Sequence, residues 1–133
     1  MEIREYTTYQ ESEILALYGS VGWTAYTDDP QALRGGFAHS LLTLAAYGGD
    51  RLLGLIRAVG DGYTVVFIQD ILVFPEFQRK GVGTALMRTL LARFPSVRQI
   101  ELATDDTPGT IAFYRALGFR SFPELGCCEL MRV

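Results

Sequence analysis

The chain has 133 residues, a formal net charge of -3, 49% hydrophobic and 20% charged residues, the proportions of an ordinary globular chain that folds as one domain, residues 1–133. At this length roughly two thirds of the unfolded surface can be buried, so neither a metal nor a disulfide is required for stability. Twelve Lys and Arg against fifteen Asp and Glu give no basic field for nucleic acid, no apolar run approaches a membrane span, and Met1-Glu2-Ile3-Arg4-Glu5 is too charged for a signal peptide, so the expected setting is cytoplasmic, with no nucleic-acid or membrane partner.

A first strand is expected at the N-terminus. Thr8-Tyr9-Gln10-Glu11 then has the form of a capping box, and Ile14, Leu15, Leu17, Tyr18 and Val21 follow at helical spacing. Asp29-Pro30 places a capping acid before a first-turn proline, with Leu33 and Phe37 on one face of a shorter helix weakened by Gly35-Gly36. Aliphatic runs over Leu41–Tyr47 and Leu52–Val59, punctuated by Gly48-Gly49-Asp50 and Asp61-Gly62, predict an antiparallel meander that continues into Tyr63–Val73. That last run is too continuously apolar for a strand with one wet face, so it is expected to be central.

Past Pro75 a helix opens inside Gly81-Val82-Gly83, with Val82, Leu86, Met87, Leu90, Leu91 and Phe94 on one side. Arg98–Ala103 resumes strand character, Thr107-Pro108 starts a further helix that Gly118 stops, and Phe119–Phe122 with Cys127–Val133 read as a final hairpin. The whole is a mixed α/β domain with about four helices and a sheet of about six to seven strands, including one parallel pair joined by a crossover helix.

The adjacent Cys127 and Cys128 suit neither a structural disulfide nor a CxxC site and are expected to be reduced. His39 is the only histidine and has no second ligand at metal spacing, so no metal site is expected.

A strand running into two glycines and then a helix suits phosphate: main-chain N–H groups converge without Cβ obstruction and the helix dipole adds positive charge. Arg79 and Lys80 add cations. A Rossmann fingerprint would place a small residue where Leu86 stands, and a Walker loop would place Lys after the glycines, whereas Lys80 precedes them. A nucleotide-dependent enzyme is therefore disfavoured.

The run Val73-Phe74-Pro75-Glu76-Phe77-Gln78-Arg79-Lys80-Gly81-Val82-Gly83 resembles the pyrophosphate motif of the GNAT superfamily of acyl-CoA-dependent N-acetyltransferases, and Phe113-Tyr114-Arg115-Ala116-Leu117-Gly118-Phe119 resembles that family's second signature. The two motifs cover about Ile68 to Phe119. The resemblance implies a GNAT-like α/β fold, with acetyl-CoA as cosubstrate and an amine as acceptor. It also implies that main-chain groups near Leu72 and Val73 pair with the pantetheine arm and that Gln78 opens a loop in which Arg79, Lys80, Gly81, Val82, Gly83 and Thr84 cradle the pyrophosphate. Tyr114 would lie near the thioester sulfur. Gly81 and Gly83 could instead serve helix–strand packing, and Tyr114 could be a core residue. The family often has Asn where Thr107 stands and Ala where Thr110 stands; Thr107 can still hydrogen-bond the cofactor.

Acetyl transfer needs a neutral amine, a route for its proton and protonation of the departing thiolate; a phenol with a pKa of about 10 suits the last role, which falls to Tyr114. Asp70, an acid in an otherwise apolar strand, is the first candidate base, or else it hydrogen-bonds a neighbouring turn; Asp105 and Asp106, which could instead cap the next helix, or water are the alternatives. The even spacing of Asp70 from Gln78 is opposite to that of bases in similar proteins, and a bulge could reverse its face. Gly22-Trp23-Thr24-Ala25-Tyr26, with Leu72, Phe122, Asp28 and Asp29, could receive a cation with an aromatic body, or Trp23 and Tyr26 could merely pack the helices. Val21-Gly22-Trp23 and Gln69-Asp70-Ile71-Leu72-Val73 resemble the plastid-type subgroup that acetylates arylalkylamines or protein lysines. In the family this chain resembles, members often dimerise through C-terminal strands, and Cys127–Val133 could serve such a homodimer, with a monomer as the equal alternative. The competing class is a non-catalytic acyl-CoA-binding or sensing module.

Overall fold

The aliphatic runs of the meander pair because short turns close each onto the next, at Gly49-Asp50 and at residues 61–64. The computed structural model describes all 133 residues, and the chain divides into two units, Met1–Leu102 and Ala103–Val133. The first unit holds β1 (Glu2–Glu5), α1 (Glu11–Ser20), α2 (Thr24–Thr27), α3 (Pro30–Ala38), β2 (Leu42–Gly48), β3 (Arg51–Gly60), β4 (Val65–Val73), α4 (Val82–Arg93) and β5 (Gln99–Leu102). The strands lie in sequence order, β1 to β4 antiparallel and β4 to β5 parallel, with α4 as the crossover. At the β3–β4 turn, Asp61 Oδ1 accepts the N–H groups of Tyr63 (2.8 Å), Thr64 (2.7 Å) and Val65 (3.1 Å), replacing the ladder partners that the turn removes.

Two layers cover the sheet. Ile14, Leu17 and Tyr18 of α1 and Leu33 of α3 join Ala45, Tyr47, Leu52, Leu55 and Leu72 in one buried cluster. On the other side α4 crosses β2, β3 and β4 and buries Val82, Leu86, Met87 and Leu90. At roughly 25 cal/mol per Å² of apolar surface removed from water, these two cores are the main stabilising term.

The pairing of β3 with β4 contains one irregularity. Arg57 lies opposite Asp70 and Ala58 opposite Ile68, so Gln69 is an extra residue on β4. Such a bulge reverses the side-chain alternation, and Ile68 and Asp70, although two residues apart, face opposite sides of the sheet. Asp70 thereby joins Leu72 on the side covered by α1–α3.

In the second unit α5 (Pro108–Ala116) begins at Thr107, whose hydroxyl accepts the N–H of Thr110 (3.3 Å). The helix ends as expected at Leu117, followed by Gly118 at φ 94°. A 3₁₀ turn over Pro123–Leu125 follows.

Three expectations are corrected. The sheet has five strands rather than six to seven, because Phe119–Phe122 and Cys127–Val133 form none. Pro123 donates no N–H, the Phe122 carbonyl is taken by Leu125 and Cys127 (both 2.9 Å), and the Ser121 N–H goes to Glu124 (3.2 Å), so the groups a hairpin would pair are spent on a local turn. The α-helices number five rather than about four, because the segment after Gly22 winds into the short α2. The capping box at Thr8 does not form: α1 starts after Gln10, whose N–H is taken by the Tyr6 hydroxyl (3.2 Å), and that hydroxyl donates to Glu13 (2.9 Å).

Candidate active site

The parallel ladder between β4 and β5 is short. It pairs Val65–Ile68 with Gln99–Leu102, while β4 runs on to Val73, leaving Gln69–Val73 without a partner strand on the β5 side. Main-chain groups along that open edge are free to pair with an extended ligand. Leu72 and Val73, the residues assigned to such pairing, lie on this segment with buried side chains (4% and 9% exposed), so the backbone is what they can offer. The Val73 carbonyl also accepts from Gln78 Nε2 (3.0 Å), which ties the start of the following loop to the end of the strand.

Beyond a 3₁₀ turn over Pro75–Phe77, the chain turns through Arg79 (φ 62°) and Gly81 (φ 84°) into α4. Two left-handed residues separated by one create a concavity of main-chain N–H groups, and Gly81 meets the conformational demand without strain. The first N–H in this stretch to find a protein acceptor is that of Ala85, on Gly81 O (3.0 Å); those of Arg79, Lys80, Gly81, Val82, Gly83 and Thr84 find none. A Cβ added at Gly81 would meet nothing within 4 Å, so packing does not explain this glycine. The side chains of Arg79 and Lys80 are exposed at the mouth, and Glu76, the nearby carboxylate, is paired with Arg51. Six unpaired donors, a helix N-terminus and two cations are the features that suit an anion.

Asp70 is 2% exposed. Its Oδ2 accepts from Arg57 Nε (2.8 Å) and the Tyr18 hydroxyl (2.8 Å), and its Oδ1 accepts from the Tyr26 hydroxyl (2.7 Å). Arg57 is 5% exposed, gives a second hydrogen bond to Ser40 Oγ (3.2 Å) and stacks over Phe37 at 5.4 Å. The carboxylate of this acid in an otherwise apolar strand thus has three hydrogen-bond donors, and the only one that is itself not buried is Tyr26. Desolvation pushes the Tyr18 and Tyr26 hydroxyls above the ordinary phenol value, with the neighbouring Asp70 adding to it, so both are protonated donors across the physiological range.

Sequence reasoning missed Arg57. The signal was present, since Arg57 is the one charge inside β3 between Leu52 and Val59, just as Asp70 is the one charge inside β4. Lone opposite charges in adjacent apolar strands are each other's most economical partners.

Trp23 and Tyr26 are half-buried and pack edge-on against Tyr18, at 6.0 and 5.1 Å between ring centroids. Asp29 caps α3 by accepting from Ala32 N–H (3.2 Å), and Asp28 is exposed. Gln69, exposed at the bulge, donates from Nε2 to the Tyr26 hydroxyl (3.0 Å). His39 closes α3 with Nδ1 2.9 Å from the Gly35 carbonyl.

In the second unit Tyr114 is half-buried and packs edge-on against Phe113 (5.0 Å) and Phe119 (5.9 Å). Burial raises its phenol above the ordinary value, opposed by a hydrogen bond with Thr104. The Thr107 hydroxyl is committed to Thr110, as acceptor from its N–H and as donor to its Oγ1 (2.8 Å). Asp105 and Asp106 are exposed in the segment that leads into α5. Cys127 and Cys128 are exposed free thiols. No helix is long and apolar enough to cross a membrane.

Comparison with known proteins gives a consistent result. Residues 7–119 match the family described as "Acetyltransferase (GNAT) family". A solved GNAT-family acetyltransferase from Streptococcus pneumoniae TIGR4 is similar to this chain at a TM-score of 0.90 and 36% identity, over 99% of this chain and 96% of that one. Rice (Oryza sativa subsp. japonica) "Serotonin N-acetyltransferase 2, chloroplastic" is 32% identical over 80 residues, which is 60% of this chain and 40% of that protein. Other curated relatives are matched over 38% and 42% of their length, so the chain spans about two fifths of such proteins. The crystal structure of an aminoglycoside 6'-N-acetyltransferase complexed with coenzyme A shares the fold at a TM-score of 0.69 and 23% identity, over 80% of this chain and 63% of that one.

Proposed function

Because the chain belongs to the GNAT family of acetyltransferases, we propose that it transfers the acetyl group of acetyl-CoA to a primary amine by direct attack, without a covalent enzyme intermediate. The observation that carries this reading is the continuity of the open β4 edge, Gln69–Val73, with the unpaired N–H groups of Arg79–Thr84. An extended pantetheine arm suits the first and a pyrophosphate the second.

The chemistry then divides between holding and proton transfer. Fixing amine and thioester together supplies much of the rate. Tyr114 is the proposed donor to the departing thiolate: a phenol raised by burial stays protonated at neutral pH and is available until the thiolate forms. Asp70 is the proposed destination of the amine's proton. A small arylalkylamine is the acceptor class we favour, with a lysine side chain second. The half-buried rings of Trp23 and Tyr26 support it, as does the similarity to a protein named for serotonin acetylation.

The test is calorimetric titration with acetyl-CoA, with ATP and NAD as controls, followed by thiol release with a panel of amines. Saturable binding of acetyl-CoA alone and amine-dependent release of CoA are expected. Gly83→Trp, which fills the mouth of the cradle, is expected to weaken acetyl-CoA binding at least about tenfold. Unchanged affinity in that variant would remove the loop from the site, and binding without thiol release from any amine would leave an acyl-CoA-binding module.

A further inference from the structure

The hydroxyl of Tyr26 lies where two features of the chain meet. It touches Gln69, the bulged residue at which β4 parts from β5, and among the groups that hydrogen-bond the buried Asp70 carboxylate it is the one that is not itself buried. Its proton is committed to Asp70 Oδ1 at 2.7 Å. Of the two lone pairs on its oxygen, one receives the Gln69 amide at 3.0 Å and the other has no partner in the protein. A phenol whose proton is held from behind presents only acceptor character in front, and what it can accept is an N–H.

The Arg57–Asp70 pair fixes this polarity. Arg57 approaches Asp70 Oδ2, and its second hydrogen bond runs to Ser40, so the negative end of the pair faces the two tyrosines. Tyr18, wholly buried, uses its hydroxyl for the same carboxylate and leaves Tyr26 alone to face outward.

We propose that Tyr26 is a catalytic residue that receives the acceptor amine and relays its proton to Asp70. The inference rests on the acetyltransferase reading above and deepens it. The amine nitrogen, neutral on arrival, donates one N–H to Tyr26 Oη, which directs its lone pair away from the hydroxyl. The lone pair forms the C–N bond at the thioester carbonyl, and the nitrogen becomes positive and acidic. Its proton then passes to Tyr26 Oη as the tyrosine's own proton passes to Asp70 Oδ1. The C–S bond breaks, its electron pair leaves with sulfur, and the thiolate is protonated as it departs. Solvent afterwards removes the proton from Asp70 and makes good the one taken by the thiolate, so amine and acetyl-CoA give amide and CoA with no net change in the protein. Arg57 keeps its contacts to Ser40 and Phe37 while Asp70 is briefly neutral, which limits the cost of the transfer.

The test uses Tyr26→Phe, which keeps the ring packed against Tyr18 and deletes the hydroxyl. The amine is whichever of phenethylamine, tryptamine and a lysine amide gives the fastest thiol release with the wild type. Acetyl-CoA affinity is expected to be unchanged, kcat to fall by about 100-fold, and the solvent deuterium effect on kcat to shrink as the relay is lost. Without turnover, calorimetry of the same amine with the CoA-bound protein is expected to show about fivefold weaker binding in the variant, the equivalent of one hydrogen bond. Thermal unfolding checks that the variant is folded. A folded Tyr26→Phe with wild-type kcat and amine affinity overturns the inference and leaves the acetyltransferase reading intact; absence of thiol release by the wild type overturns both.

Discussion

Arg57 and Asp70 show what a buried charge demands of its neighbours. Both are nearly inaccessible to water, and each oxygen of the carboxylate and two nitrogens of the guanidinium are hydrogen-bonded. The pair as a whole need not stabilise the fold against an apolar alternative, but removing one partner strands the other in a low dielectric. Arg57→Met is therefore expected to lower the unfolding free energy by about 3–5 kcal/mol in urea titrations, and adding Asp70→Asn to recover part of that loss because the stranded charge is gone. A loss below about 1 kcal/mol in the single variant would show that water reaches the pair. Asp70 was legible in the sequence as an anomaly; its partners were not, because Tyr18 and Arg57 are separated from it by 52 and 13 residues.

At the scale of elements the decisive object is β4, paired with β3 from Val66 to Val73 except at the bulged Gln69, and with β5 along less than half its length. Its position depends on Gly54, which lies opposite Val73: a Cβ there would come within 2.8 Å of the Leu72 carbonyl oxygen and 3.0 Å of Val73 Cγ2. Backbone cannot yield as a side-chain tip can, so Gly54→Ala has to displace the open edge. It is expected to cost about 1–3 kcal/mol of stability and to weaken acetyl-CoA binding, measured by urea unfolding and calorimetry on the same preparation. Full stability and full affinity together would mean that the edge has more play than its packing indicates. The glycine turn and the start of α4 that follow were readable in advance, since glycine spacing and helix onset are local properties. The bulge at Gln69 was not, because nothing in Phe67-Ile68-Gln69-Asp70 states which residue will lack a partner on the neighbouring strand.

For the molecule as a whole, the segment after α5 shows how a local network displaces a long-range one. Glu124 gathers Arg115 and both the N–H and hydroxyl of Ser121, and chiefly the Arg115 guanidinium holds its carboxyl at about 2, below the ordinary value of 4.5. A folded pKa below the unfolded one means that the contribution is complete above about pH 4.5 and is lost as the pH falls through about 2. The Ser121 amide resonance is expected to shift with a midpoint near 2 and to stay put over that range in Glu124→Gln; a midpoint near 4.5 in the wild type would mean that the contacts do not form in solution. Exposed Leu130, Met131 and Val133 follow this turn without a strand to hold them.

The sequence by itself determined the elements whose causes lie within a few residues. These are the strands that alternate or run apolar, the caps at Asp29 and Thr107, the turn at Asp61, and the glycine loop with its helix. Those same local properties carried the resemblance to an acetyltransferase family. Only the tertiary structure decided the parts that depend on which strand lies beside which: the five-strand count, the face that Asp70 adopts, its ligation by Arg57 and two tyrosines, and the edge that β5 leaves uncovered. The division follows from range. Propensity, capping and turn chemistry act between near neighbours, whereas register and burial are settled by residues far apart in the chain that meet only once it has folded.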